Sequence, residues 1–346
     1  MIPDWSAVIL LQKEVMKLTI NAAGDREIDY MRISITDRCN FRCSYCMPSE
    51  GVECKPKDEI MSYEDILEVV RIAVSEGITT FRITGGEPLV RLGVENLIDS
   101  MDDIEGCREI TMTSNGYLLE EKAEELAEAG LDRVNISLDT LQEKKFAEIT
   151  GVDGLSRVLE GIEGARNAGL NPLKINTVVK KELNDDEIED FVQFAGNKNL
   201  NLRFIEYMPF TEEASAESGY DADSEYRISL AEIKTRVENK HELKPADIRG
   251  KGPAQNFWLD NSEAVIGFIS PVSHNICGNC NRLRLTADGN IRPCLARENE
   301  ISLYEGGKLK SPRKIRDALQ GSALKKPAEN DFQPGCNDRN MSQIGG

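Results

Sequence analysis

Short β-branched and apolar runs alternate along this chain with longer segments in which apolar residues recur every three or four positions. The runs Ile33–Thr36, Thr79–Thr84, Glu109–Thr113, Arg133–Leu138, Leu173–Val179 and Asn201–Ile205 read as strands. Between them, Tyr63–Glu76, Gly93–Met101, Leu118–Ala129, Leu155–Ala168 and Asp185–Phe194 read as amphipathic helices. Strand followed by helix, repeated in this way, predicts an α/β fold with a parallel sheet and helices outside it. A partial (β/α)6 TIM-like barrel is the expected closure, with its functional loops at the C-terminal ends of the strands. The order breaks at residues 211–226, which are rich in Glu, Asp, Ser and Ala and carry no periodicity. Such a segment is expected to be a solvated, mobile loop, and a lid role has no positive support. The expected organisation is an N-terminal extension over 1–29, the partial barrel over 30–210 and a C-terminal region over 211–346. That region begins with a helix near Ser229–Lys240 and continues with strand-like pieces around Phe257 and Ile266.

Composition narrows the setting. With 40% hydrophobic residues in 346, the chain can bury a sizeable core. Its formal charge of −18 argues against a general nucleic-acid surface, so an anionic ligand requires a local basic pocket. The apolar run Ala7–Leu11 is too short for a signal segment, and no stretch approaches a membrane span. Nine cysteines are too few for a disulfide framework and too clustered for scattered core residues, which points to a reducing, cytoplasmic compartment. Cys54, Cys107 and Cys336 fall outside the clusters and read as buried or incidental thiols.

The clusters are two triplets. Cys39, Cys43 and Cys46 follow the first predicted strand, and no histidine lies near enough in sequence to complete a local zinc ribbon. Closely spaced thiolates suit an iron–sulfur cluster that keeps one iron open, and the spacing resembles the motif of radical S-adenosylmethionine enzymes. A disulfide or a zinc knuckle is the alternative. Cys277, Cys280 and Cys294 form the second triplet, and the Asp288-Gly289 turn folds Cys294 back toward the pair. Zinc is the alternative here if His274 supplies a fourth ligand. Arg282 and Arg284 alternate on one strand face between these cysteines, and guanidinium forks suit phosphate oxygens. At the predicted strand ends stand Thr84-Gly85-Gly86-Glu87-Pro88, Thr113-Ser114-Asn115-Gly116, Asn135-Ile136-Ser137-Leu138-Asp139 and Arg203-Phe204-Ile205-Glu206-Tyr207-Met208-Pro209. The paired glycines permit close backbone approach, and Glu87 is placed to accept from an ammonium group. The plainer reading of these polar residues is strand-end capping.

The triplets, the Thr84–Pro88 segment and the tail Met341-Ser342-Gln343-Ile344-Gly345-Gly346 together resemble the GTP 3′,8-cyclase family of radical S-adenosylmethionine enzymes, from about Met31 to Gly346. The resemblance implies two [4Fe–4S] clusters, a radical-forming one on Cys39, Cys43 and Cys46 and an auxiliary one on Cys277, Cys280 and Cys294. It implies an S-adenosylmethionine site lined by Tyr45, Gly86, Glu87, Ser137 and Met208. It implies contacts to GTP from Arg32, Arg82, Thr113, Lys174, Arg203, Arg282, Leu283 and Arg284, and a diglycine end that inserts toward the active site. The implied reaction joins the ribose 3′ carbon of GTP to purine position 8, the first step of molybdenum cofactor biosynthesis. Implied partners are an electron donor of flavodoxin or ferredoxin type, cyclic pyranopterin monophosphate synthase as the next enzyme, and a second copy in a homodimer, with no nucleic acid or membrane. Two departures stand out: Thr80 replaces a lysine frequent in relatives, and the first cysteine lies late, after an extension of no evident role. The other functions weighed are a peptide-modifying radical enzyme with an auxiliary cluster and a non-catalytic zinc or nucleic-acid module.

Anaerobically reconstituted protein should therefore hold about eight iron and eight sulfide per chain, four of each at either triplet. Zinc in place of iron at both sites would overturn the cluster reading.

Overall fold

Twelve strands join in one continuous sheet, and their order brings the two distant cysteine groups to one cavity. The computed structural model describes residues 19–22, 26–48, 50–208, 228–248, 252–273, 276–329, 332 and 339–345. The expected acidic loop, His274 and Gly346 lie outside the described residues.

The chain opens with a hairpin of β1 (Ile20–Ala22) and β2 (Arg26–Ile28). Then come β3 (Tyr30–Ser34), α1 (Tyr63–Ser75), β4 (Thr80–Thr84), α2 (Val94–Asp102), β5 (Glu109–Ser114) and α3 (Leu119–Glu128). They are followed by β6 (Arg133–Ser137), α4 (Glu143–Thr150), α5 (Leu155–Asn167), β7 (Lys174–Val179), α6 (Ile188–Lys198) and β8 (Asn201–Glu206). From β3 to β8 each strand pairs in parallel with the next, as the alternation predicts. Helices cover the outer face. In α1, Ser62 accepts the Asp65 N–H at 3.1 Å as the N-cap, and Ile66, Val69, Val70 and Ala73 form the buried stripe against the sheet.

The C-terminal part comprises α7 (Leu230–Glu238), β9 (Leu243–Pro245), β10 (Gln255–Leu259), β11 (Val265–Ile269), β12 (Arg282–Leu285), β13 (Asn290–Arg292), β14 (Ile301–Ser302), α8 (Pro312–Leu324) and α9 (Met341–Ile344). It extends the parallel sheet at both sides: β11 pairs with β8, and β12 pairs with β3. Antiparallel strands complete each flank, so β14 and β9 are the two ends of the ladder and the sheet stays open. The strand face opposite the cavity packs into one apolar core that runs from Ile20 through Phe81, Ile136 and Phe204 to Leu283 and Leu319.

Three differences from the sequence reading have physical causes. The first barrel strand begins at Tyr30, ahead of Ile33, because Tyr30 and Arg32 face the cavity and interrupt the apolar pattern. Helix α4 escaped notice because it is short; Gly151, in the left-handed region at φ +72°, ends it. Part of the supposed extension belongs to the fold, since Ile20 and Ile28 are buried in the core and β1 packs on α8.

Candidate active site

The first cysteine loop is held from two directions. Two carbonyls at the end of α4, which have no partner within the helix, accept from it: Arg42 N donates to Thr150 O at 2.7 Å and Ser44 N to Ile149 O at 3.0 Å. Phe41 inserts edge-on between Tyr117 and Phe146, at ring separations of 5.7 and 5.6 Å. From the other side, Gly86 N donates to Thr36 O and Glu87 N to Arg38 O, both at 2.8 Å. The glycines serve this seat. A β-carbon at Gly86 would stand 2.3 Å from the Arg38 carbonyl oxygen, and one at Gly85 would stand 2.6 Å from that of Thr36. Close approach is thus required, as the pair of glycines suggests, but the approaching partner is the cysteine loop's own backbone.

Glu87 is buried and already engaged. Its Oε1 accepts from Leu89 N and Ser114 Oγ, and its Oε2 accepts from Asn115 N at 2.6 Å. Burial lifts its carboxyl to about 7 against these donors. A carboxylate has about four lone-pair sites, so one remains for a ligand. Tyr45 donates its hydroxyl to Asp139 Oδ2 at 2.6 Å, and Val178 N donates to Oδ1; burial still raises Asp139 to about 6.

The two triads differ in electrostatic setting. Burial, then Glu87, pushes the Cys39 thiol up to about 11, and burial with Cys39 pushes Cys46 up to about 12. At Cys280 burial raises the thiol, but Arg282 and then Lys326 outweigh it and bring it down to about 6. Within each triad the thiols act on one another, and all six cysteines line the same cavity. Three thiols bordering one void fit a cluster that keeps an iron open.

The cavity between the triads encloses about 550 Å³. Strand register builds its basic wall. Arg284, Arg32 and Arg82 are lateral partners across β12, β3 and β4, and Arg282 stands beside Tyr30. On the next strands Asn135 faces Lys174, and Asn176 faces Arg203. Gly267 stands beside Arg203 and leaves room for it, because a β-carbon there would meet Arg203 Cγ at 3.2 Å. Among the described lining residues, eight lysines and arginines outnumber four carboxylates, the reverse of the whole chain's balance. Arg133 is matched by Glu109, at 2.7 Å. Burial, followed by Arg203, Arg133 and Arg82, drives Lys174 down to about 7, and burial with Arg82 brings Arg203 to about 10. Arg203 Nε, Thr113 Oγ1, Asn135 Oδ1 and Asn176 Oδ1 are buried without a hydrogen-bond partner, and their residues line this void. Uncompensated cations and orphaned polar atoms call for a polar anion.

The tail enters the same space. Ser342 N–H donates to the Cys46 sulfur, and Gly345 O accepts from Arg284 Nη1 at 2.5 Å. Arg339 anchors it, pairing with Asp288 at 3.0 Å and Glu300 at 2.9 Å. Ile344 packs with Phe332, Met208 and Met341 in a small separate apolar cluster.

Of the residues singled out from sequence, Tyr45, Gly86, Glu87, Ser137, Met208, Arg32, Arg82, Thr113, Lys174, Arg203, Arg282 and Arg284 all line the cavity with the six cysteines, as does Thr80. Leu283 does not. It alternates to the opposite face of β12 and is fully buried in the core. Tyr30, Arg133, Asn176 and Lys326 line the cavity too and were not singled out. Lone polar residues inside strands, and a lysine just past a helix such as Lys326, carry no motif that marks them.

Comparison with known proteins agrees with this architecture. Residues 33–195 match the model of the Radical SAM superfamily, and residues 200–332 match that named Molybdenum Cofactor Synthesis C. Among solved structures, Streptococcus suis SuiB bound to precursor peptide SuiA superposes with a TM-score of 0.59 at 17% identity, covering 87% of this chain and 65% of that one. That likeness shows the fold alone. A GTP 3′,8-cyclase of Petrotoga mobilis is 47% identical over 327 residues, 93% of this chain and 98% of that protein. Another, of Thermodesulfovibrio yellowstonii, is 50% identical over 281 residues, 81% and 85% of the respective chains. The chain belongs to the GTP 3′,8-cyclase family of radical S-adenosylmethionine enzymes.

Gly86→Ala tests the seat of the cysteine loop. The displaced Arg38 backbone should cost about 1–3 kcal/mol, seen as a lower thermal midpoint, and iron should be lost from the first triad while the second retains it.

Proposed function

We propose that this cavity seats S-adenosylmethionine against the first triad and GTP against the second, with the triphosphate in the cluster of cations between them. The activity is that of a radical S-adenosylmethionine GTP 3′,8-cyclase, which converts GTP to (8S)-3′,8-cyclo-7,8-dihydroguanosine 5′-triphosphate. Two [4Fe–4S] clusters and S-adenosylmethionine are its cofactors. The observation that carries the placement is the excess of buried, mutually repelling cations in a void bordered by both cysteine triads. The peptide-modifying alternative is not favoured, because close kinship lies with cyclases and only the fold is shared with the peptide-bound neighbour.

In this reading Cys39, Cys43 and Cys46 hold the first cluster and Cys277, Cys280 and Cys294 the second. When bound, the first cluster and S-adenosylmethionine supply the 5′-deoxyadenosyl radical. The chain's own residues position the reactants. Tyr45, Gly86, Glu87, Ser137 and Met208 line the cofactor's end, where Glu87 offers its remaining acceptor site to the methionyl ammonium. Arg32, Arg82, Lys174 and Arg203 clamp the triphosphate, and Thr113 orients the nucleoside. Arg282 and Arg284 complete the wall nearest the second triad, although Arg282 also contacts Cys280 and Arg284 holds the tail. Binding energy gathered at the phosphates fixes the ribose at a distance from them, and small misplacement there costs large factors in rate. The tail helix, seated by Arg339 and Met208, shields the cavity from water.

The same reading takes 30–210 as the barrel, 211–346 as the auxiliary region and 1–29 as an extension whose hairpin of β1 and β2 packs against the fold. It extends to an electron donor of flavodoxin or ferredoxin type, cyclic pyranopterin monophosphate synthase as the enzyme that takes the product, a homodimer and a cytoplasmic setting. Among the described residues no helix is long and apolar enough to cross a membrane.

An anaerobic assay with GTP, S-adenosylmethionine and reductant should yield the 3′,8-cyclised triphosphate, and an uncyclised product would sink the assignment. Arg203→Met is the cleanest probe of the clamp: loss of a charge-assisted contact worth about 1.5–3 kcal/mol should weaken GTP binding about 10- to 150-fold. Cleavage of S-adenosylmethionine without GTP should persist in that variant. A bound triphosphate also raises the pKa of Lys174 from its free value of about 7. GTP affinity is then fullest below pH 7 and falls as pH rises through that value, with proton uptake on binding. Calorimetry in buffers of different ionisation enthalpy should show the uptake, diminished in Lys174→Met.

A further inference from the structure

Lys326 is a buried cation with no part in the mechanism above. It lies just beyond α8 in a Lys-Lys-Pro run, and only 4% of its surface is exposed. Its ammonium donates to Arg282 O at 2.6 Å, to Pro293 O at 2.8 Å and to Cys280 Sγ at 3.4 Å. An ammonium has three donors and no acceptor, so these contacts use all of them and leave none for a substrate. The acceptors lie on both arms of the cysteine hairpin, since Arg282 follows Cys280 closely and Pro293 immediately precedes Cys294. Arg26 braces the same assembly: Nη1 donates to Cys277 O at 2.6 Å and to Pro327 O at 3.0 Å, and Nη2 donates to Lys326 O at 3.3 Å. At the first triad the charges differ, because the carboxylates of Glu87 and Asp139 act on the thiols, opposed by Arg42 and by the donors of Phe41, Asn115 and Ser342.

We infer that Lys326 is a positioning residue that raises the reduction potential of the cluster on Cys277, Cys280 and Cys294, through its charge and its N–H···S contact to Cys280. Each one-electron reduction adds a negative charge to the cluster, and a desolvated cation beside a ligand sulfur stabilises the reduced form. Lys326 lines the cavity, but its three donors are spent on protein atoms, so it would act on the cluster's ligand sulfur and not on a bound substrate. The inference rests on the two-cluster reading of the site.

The test is an anaerobic redox titration of the full-length, reconstituted protein, followed by electron paramagnetic resonance, with Lys326→Met and Lys326→Gln beside the parent. Both variants should keep iron at both triads. At a fixed potential the oxidised-to-reduced ratio of the auxiliary cluster should rise about tenfold, a midpoint about 59 mV more negative for a one-electron couple. The midpoint of the first cluster should stay in place. An unmoved auxiliary midpoint in an iron-replete variant would overturn the inference. Loss of iron from the second triad in both variants would make Lys326 a structural strut and overturn it equally. Parent protein that takes up no iron at the second triad would instead fail the cluster reading beneath it.

Discussion

The parallel pairing of β12 with β3 is the contact on which the site depends. It aligns Arg282 with Tyr30 and Arg284 with Arg32, and it carries the second cysteine hairpin to the mouth of the barrel that bears the first. Without that ladder the only strand pairing between the C-terminal region and the barrel would be that of β11 with β8, at the far edge of the sheet. The arginines would then share no wall, and the triads would not face one cavity. The brace of Arg26 against Cys277 and Pro327 and the burial of Ile20 and Ile28 show the N-terminal hairpin supporting the same junction.

Electrostatics divides the cavity it creates. Carboxylates and burial dominate around Cys39, Cys43 and Cys46, whereas cations dominate around Cys280. Cations crowd the floor between the triads, held together against their repulsion by the surrounding fold. Such an arrangement stores unfavourable energy that an anionic ligand relieves on binding. The tail draws on the same charges, since Arg284 holds Gly345 and Arg339 holds the turn at Asp288. Substrate wall, cluster hairpin and chain terminus are therefore mechanically connected.

Much of this was legible in the residues. Six strands and their helices follow from alternation, and the triplets follow from spacing. What escaped has recognisable causes. Helix α4 is too short for periodicity to reveal, yet its end carbonyls seat the cysteine loop. The start of β3 was hidden because Arg32 faces a cavity where an apolar residue would normally sit. Gly85 and Gly86 signalled close approach correctly, but only the packed loops identify Thr36 and Arg38 as the partners. Leu283 was expected among the substrate contacts from the family resemblance, and strand alternation turns its side chain into the core.

The sequence by itself determined the class of chemistry, because closely spaced thiols and alternating arginines are local patterns whose reactivity travels with the residues. It also determined the order of the barrel strands, since each strand pairs with the next one along the chain. Only the tertiary structure decided that the two triads share one cavity, that Arg203 and Lys174 lie among like charges, and that Lys326 reaches Cys280. Those outcomes depend on β12 finding a strand at the other end of the chain, and long-range pairing leaves no local trace in a sequence.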